Sequence, residues 1–499
     1  MRYIIYLSML LVMVLANPEA TAKPGNNPLA DAFHHFSGKE ALQNANWTFY
    51  VKDVTDGKTL LTYEPDKPVV PASAQKLITT ASALMILGHD HQYETLLQHD
   101  GYVDDQGDLH GNLYIRGSGD PTLGASMMDD SLSLDHIFSY WHDAITEAGI
   151  KTINGHVVAD ASVFDDEMVP RRWVWEHIGN YFGAGASGLT VHENEYTVFF
   201  NAGDNAGEEA TVAGTEPEIP GMTFLNEVTT GPPGSGDQVY IFGAPYQQQR
   251  QLTGTVPAGA EGFEVRGSMA DPPQFLADSL KAFLEDGGIT VSGQSMTNRS
   301  AAQKEIPLNE NRTTLHVWHS PFLFDLLYRT NIESVNTYAE NLLKTIGFRE
   351  DDKGTVRTGL SAISRFWEPH GIAGKNWRLY DGSGLSPSNR VTASQLITIM
   401  EATANHRSFP VLNNSLPMAG YSGSLTNQLR GTNSEGVLRA KSGYLNNVRS
   451  YAGYTPMENG NLAAFVIVVN DYKGSPTAMR NSILHLLDSI TRHNGQALH

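Results

Sequence analysis

The chain has 499 residues, enough for roughly two to four domains that each bury a core. Apolar residues make up 40% and charged residues 18%, a balance that suits a folded globular protein and argues against wholesale disorder. With 54 acidic against 34 basic residues the formal charge is −20, which disfavours nucleic acid and anionic membrane surfaces as partners, and the absence of cysteine excludes thiol catalysis, disulfides and Cys-based zinc sites.

Arg2 precedes an apolar run over residues 4–16, too short to cross a bilayer but suited to the core of a signal peptide. Pro18 breaks the run, and Ala20 and Ala22 are the small residues that a signal peptidase reads. Cleavage is therefore expected after Ala22, giving an exported mature chain without a transmembrane anchor; an uncleaved anchor is the alternative. Residues 46–63 alternate as two strands around an Asp56-Gly57 turn. After Pro71 the apolar spacing of Leu77, Ile78, Ala81, Leu84 and Met85 predicts a helix ending near Gly88.

From about 96 to 312 short strand-like pieces (112–116, 156–159, 195–200, 238–242) alternate with Gly, Pro and Asp turns, and one helix is expected over 273–285. This stretch reads as one or two inserted, mainly β modules. Helices return after 313, over 336–345 with a stop at Gly347, and over 355–367. Strands are expected at 438–441, 450–454 and 463–469, the last an unbroken apolar run of the buried kind. A final amphipathic helix presents Met479, Ile483, Leu486, Leu487 and Ile490 as one stripe, expected to pack on the sheet rather than on a membrane.

Three short motifs carry chemistry: Ser73-Ala74-Gln75-Lys76, Ser334-Val335-Asn336 and Lys441-Ser442-Gly443. Ser73 falls where a loop gives way to a helix, so its hydroxyl sits near a positive helix end. Lys76 lies one turn later on the same face, within reach of that hydroxyl. A lysine amine acts as a base only when burial or a neighbouring cation lowers its pKa, and Lys441 could be that neighbour. Ser334 and Asn336 stand at the opening of a helix, and Gly443 on its strand lets a ligand approach the backbone.

The trio is that of penicillin-binding proteins and class A β-lactamases, and the chain more narrowly resembles the class C low-molecular-mass penicillin-binding proteins, the D-alanyl-D-alanine carboxypeptidase/endopeptidase family, over nearly its whole mature length. The segment from Pro71 to Leu77, Gly119-Asp120-Pro121, Asp381-Gly382-Ser383-Gly384-Leu385-Ser386, and Leu416-Pro417-Met418-Ala419-Gly420 through Gly423-Ser424-Leu425 carry the resemblance. Arg439-Ala440-Lys441-Ser442-Gly443, followed by Ala452-Gly453-Tyr454, completes it. It implies an α/β (α+β) fold: a transpeptidase/β-lactamase-like domain, helices around an antiparallel sheet, in two parts (23–95 and 313–499) interrupted by the 96–312 insert.

The resemblance implies a serine D-alanyl-D-alanine carboxypeptidase that acts on peptidoglycan stem peptides, is acylated by β-lactams and needs no cofactor or metal. Ser73 would attack the D-alanyl carbonyl after losing its proton through Lys76. The N–H groups of Ser73 and Tyr444 would hold the oxyanion. Ser334 would pass a proton to the leaving amine, Asn336 would orient the substrate amide, and Lys441 with Ser442 would hold the terminal carboxylate. Asp160 and Phe164, in the inserted stretch, are candidates to touch the third stem-peptide residue. Two departures stand out. Val335 replaces the aspartate of the usual Ser-Asp-Asn motif, its side chain expected to point away from the site. Tyr444 replaces the last threonine of Lys-Thr-Gly-Thr, removing a small hydroxyl near the substrate carboxylate.

Rival readings are weaker. A class A β-lactamase would need its Glu-x-x-Leu-Asn segment after the middle motif, whereas Glu305-Ile306-Pro307-Leu308-Asn309 precedes Ser334. A non-catalytic peptidoglycan-binding relative would fit Val335 and Tyr444 but not the survival of Ser73 and both lysines. A metal enzyme would have to use His34-His35 or His89-Asp90-His91, which lack a His-Glu-x-x-His pattern.

Overall fold

The computed structural model describes residues 27–372 and 377–497; the expected signal peptide, residues 1–22, lies outside them. Helix α1 (Pro28–Ser37) is followed by the hairpin of β1 (Asn46–Asp53) and β2 (Lys58–Tyr63), and α2 (Lys76–Leu87) stops at Gly88. In the intervening stretch β3 (Glu94–His99), β4 (Leu113–Arg116), α3 (Leu134–Glu147), β5 (Val157–Asp160), α4 (Pro272–Asp286), β6 (Ser295–Thr297) and β7 (Thr313–His319) follow in turn. The remaining principal elements are α5 (Leu323–Ile332), α6 (Asn336–Asp351), α7 (Val356–Trp367), α8 (Ala393–Ala404), β8 (Arg439–Leu445), β9 (Val448–Pro456), β10 (Leu462–Asn470) and α9 (Pro476–Thr491).

The first and last thirds of the chain build one antiparallel five-stranded sheet in the order β8-β9-β10-β1-β2. Strand β10 explains its own unbroken apolar run. Ala464, Val466 and Val468 face a core shared with α2, α5, α6, α7 and α8, while Ala463, Phe465, Ile467 and Val469 face the core under α1 and α9. A strand buried on both faces needs apolar residues at every position, and each large one contributes roughly 1.5–3 kcal/mol. The α9 stripe of Met479, Ile483, Leu486, Leu487 and Ile490 lies buried in that second core. No helix among the described residues is long and apolar enough to cross a membrane.

The intervening stretch holds a mixed sheet in the order β6-β5-β4-β3-β7, with parallel pairing among β6, β5 and β4. Strand β7 pairs antiparallel with β3, so the chain enters and leaves this sheet on adjacent strands. Two further three-stranded sheets come from residues 195–268. The stretch is richer in helix than its Gly and Pro texture suggests: besides the expected α4, it contains α3, whose Leu134, Ile137, Phe138, Trp141 and Ile145 are all buried. Those residues follow a clear helical period, with Ser133 as the cap accepting from His136 N–H, so the signal was present in the sequence.

Gly347 does not end α6 as expected. The helix runs four residues further, to Asp351, and closes at Asp352 in the left-handed region (φ 52°). Gly347 instead allows close helix packing: a Cβ there would stand 2.6 Å from the backbone nitrogen of Gly359 on α7.

Candidate active site

Ser73 lies in a 3-10 turn, Ala72–Gln75, that leads directly into α2. The residue before it, Ala72, has φ +48°, a left-handed conformation that costs an L-residue on the order of 1–3 kcal/mol and persists only where the surroundings enforce it. The enforcement is visible. Ser450 Oγ on β9 donates to Pro71 O (2.6 Å), and Gly443 on β8 lies so close that a Cβ there would be 2.8 Å from Ser73 N.

Lys76 is fully buried, and its Nζ donates to Ser73 Oγ (3.1 Å), Asn336 Oδ1 (2.5 Å) and Ser383 O (2.9 Å). Burial pulls this amine down to about 7, against the opposing pull of Glu340 and Asp381. Lys441 Nζ donates to Ser334 Oγ (2.9 Å) and Ser442 O (3.1 Å). Burial, and then repulsion from Lys76, holds it well below the usual ammonium range. Ser334 is the second strained residue here, with φ +61°, just ahead of α6. The structure thus brings together Ser73, Lys76, Ser334, Asn336, Lys441, Ser442 and Gly443 from α2, the α5–α6 junction and the edge strand β8.

Val335 packs against the apolar core beside α6, which is why a non-polar side chain is accommodated between Ser334 and Asn336. Ala440 N–H donates away from β9 to Pro417 O, and the two-residue period of a strand aims the N–H of Ser442 and Tyr444 off the same free edge. Ser442 Oγ reaches Ser424 Oγ (2.6 Å) across that edge.

Several contributors escaped the sequence reading. The Asp381–Ser386 segment, given no role by the sequence beyond carrying the resemblance, supplies the Ser383 carbonyl to Lys76. It is held by two buried carboxylates. Asp381 accepts from Gln75 Nε2 (2.9 Å), Trp173 Nε1 (2.8 Å), Gly384 N (3.0 Å), Ser386 N (2.6 Å) and Asn389 Nδ2 (2.8 Å). Glu340 accepts from the backbone N–H groups of Gly382 and Ser383, and burial together with Asp381 raises its pKa. Glu340 stands four residues after Asn336 on α6, hence on the same helix face, which is the one signal that could have flagged it. Phe182, from the inserted stretch, accepts from Asn336 Nδ2 (2.7 Å) and fixes which way that amide points.

Asp160 and Phe164 lie in the stretch between the two parts of the main sheet. Asp160, at the end of β5, is buried and paired with Arg312 (2.7 Å), and Phe164 is buried against Gly119 and Gly354. Among the described residues no hydrogen bond, ion pair or ring contact joins either to the seven residues above. Glu305 is exposed on a linker after residues 298–303. His34 and His35 sit in the last turn of α1, and His91 packs edge-on against Tyr93.

A helical layer on an antiparallel sheet, with a half-buried serine bonded to a buried lysine at their junction, defines the active-serine class shared by penicillin-binding proteins and β-lactamases. The D-Ala-D-Ala carboxypeptidase 3 (S13) family profile matches residues 29–490, and the chain belongs to that family. It is accordingly a serine D-Ala-D-Ala carboxypeptidase of the penicillin-binding type. It is 29% identical over 467 residues to a D-alanyl-D-alanine carboxypeptidase of Actinomadura sp., covering 91% of this chain and 83% of the relative. It is 25% identical over 437 residues to the D-alanyl-D-alanine carboxypeptidase DacB of Haemophilus influenzae, covering 86% of each. The crystal structure of penicillin-binding protein 4 from Haemophilus influenzae superposes with a TM-score of 0.76 at 22% identity, covering 92% of this chain and 97% of that one, and shares its fold.

Proposed function

We propose that Ser73 is the acylated nucleophile, that Lys76 is its base, and that the protein releases terminal D-alanine from peptidoglycan stem peptides. The observation that carries this is the buried Lys76 amine within 3.1 Å of Ser73 Oγ, with a pKa brought to about 7. An amine of that pKa is part neutral at physiological pH and can take the serine proton. Attack on the D-alanyl carbonyl forms a tetrahedral oxyanion held by the N–H groups of Ser73 and Tyr444. Each such donor contributes on the order of 10²–10³ in rate. The Lys441–Ser334 pair (2.9 Å) supports Ser334 as the hydroxyl that delivers a proton to the leaving amine. Asn336, oriented by Phe182, holds the substrate amide, and Ser442 receives the carboxylate. Water then cleaves the ester, with Lys76 again taking the proton.

A D-alanyl bond at a cross-link reacts through the same acyl-enzyme, so endopeptidase action is included in this reading. β-Lactams acylate Ser73 as substrate mimics. A cell-envelope or periplasmic location follows from the expected signal peptide and the substrate. Asp160 and Phe164 enter only as residues of the neighbouring module. The test is Ser73→Ala. It should lose both fluorescent-penicillin labelling and D-alanine release from a pentapeptide; retained labelling excludes Ser73. Mass spectrometry of cross-linked muropeptides after incubation measures the endopeptidase share.

A further inference from the structure

The hairpin of β8 and β9 pairs Ser442 with Tyr451 and Tyr444 with Arg449. Directly opposed residues share a face, so Ser442, Tyr444 and Arg449 lie on the same side of the hairpin, with Ser442 and Tyr444 about 7 Å apart along the edge strand. The guanidinium of Arg449 stacks 3.9 Å above the ring centroid of Tyr444, whose side chain is more than half exposed. Its Nε is buried without a hydrogen-bond partner, and no carboxylate among the described residues pairs with it. In a chain with 54 acidic and 34 basic residues, an unpaired arginine beside a ligand-binding edge is conspicuous.

Lys441, the cation of the strand motif itself, is poorly suited to a substrate anion. Lys441 is buried, and its amine is directed at Ser334 Oγ and Ser442 O. Burial, and then the neighbouring Lys76, disfavours its charged form, and those two N–H bonds aim the amine into the protein rather than along the free edge. A guanidinium has no such weakness: it stays charged at any relevant pH, and its planar fork matches the two oxygens of a carboxylate. Stacking on Tyr444 limits the rotamers of Arg449 and leaves its terminal N–H groups free.

We propose that Arg449, held over Tyr444, is the specificity-determining cation that binds the free carboxylate terminus of the substrate at the end of the edge strand. The proposal rests on the reading above, in which a D-alanyl peptide lies along β8 with its terminus at Ser442. Tyr444 then has two roles, its N–H serving the oxyanion and its ring serving as the platform for Arg449. The charge contact is the same in the bound substrate and in the transition state, so it acts on binding rather than on the chemical step.

The test compares a pentapeptide ending in D-Ala-D-Ala as the free acid with its C-terminal amide. Wild-type protein should prefer the acid. Arg449→Ala should raise KM for the acid roughly 10–100-fold with kcat retained, the size expected for a charged hydrogen-bonded contact, and should largely abolish the preference over the amide. Arg449→Lys should recover part of it, since a point charge replaces the fork. Equal losses on acid and amide, or none on either, overturn the proposal. If the Arg449 variants do not fold, the wild-type ratio still decides, because an acid turned over no better than the amide also overturns it. Wild-type protein that cleaves neither peptide and is not acylated by penicillin refutes the functional reading itself; normal turnover without an acid preference refutes the role of Arg449 alone.

Discussion

Gly443→Ala tests the geometry on which the oxyanion site depends. An alanine Cβ at 443 would stand 2.8 Å from both Pro71 O and Ser73 N, with Ser450 Oγ nearer still. Restoring an ordinary 3.4 Å contact requires β8 and the 3-10 turn to part by about 0.6 Å. Neither side gives easily: two of the three atoms met are backbone, and the nearest, Ser450 Oγ, is held by its bond to Pro71 O at 2.6 Å. Overpacking of this kind costs about 1–3 kcal/mol in stability. The functional loss should be larger, because the displaced strand carries the Tyr444 N–H, and loss of one oxyanion donor lowers the rate on the order of 10²–10³-fold. The assay is the second-order acylation rate with a fluorescent penicillin, paired with a thermal melt to show that the variant is folded. An unchanged acylation rate in folded Gly443→Ala protein refutes the placement of the oxyanion site between β8 and Ser73.

The acylation rate should rise with pH through about 7 as Lys76 loses its proton, and a profile flat between pH 5 and 9 would remove Lys76 as the base. Stability carries the same signature with a definite sign. The folded pKa of Lys76 lies below the ordinary 10.5, so the unfolded chain binds more protons between about 7 and 10.5, and the wild-type protein gains stability as pH rises through that window. Lys76→Met removes this term, so its melting temperature relative to wild type should fall steadily from pH 7 to pH 10; a constant difference contradicts the depressed pKa. Asp160→Asn should destabilise the fold by about 3 kcal/mol or more, because it strands Arg312 in a buried pair, while KM for the pentapeptide barely moves. A raised KM without a melting shift would instead make Asp160 a substrate contact. Val335→Asp pushes a carboxylate against the core beside α6 and should cost about 1–3 kcal/mol in a denaturant melt, with acylation preserved.

Local chemistry was legible wherever a single element fixes it. The α2 period and the Ser73-to-Lys76 spacing place hydroxyl and amine on adjacent turns, and the unbroken run of β10 requires burial on both sheet faces. The rest depended on chain segments far apart in sequence. Gly347 carries the residue type of a helix stop, yet packing against Gly359 decides that the helix continues. Asp160 likewise has a partner, Arg312, that lies far away in sequence and that no local pattern names.

By itself the amino-acid order settled which groups could react, because side-chain type and helical or strand period are local properties. It also settled the family, since its motifs occur in fixed order. Only the tertiary structure decided how those groups are tuned. The pKa of Lys76 is lowered because α2, α6 and the Asp381–Ser386 segment close around it, removing water and leaving Glu340 and Asp381 as the opposing charges. Desolvation is set by what packs against a group, and no spacing along one segment specifies that.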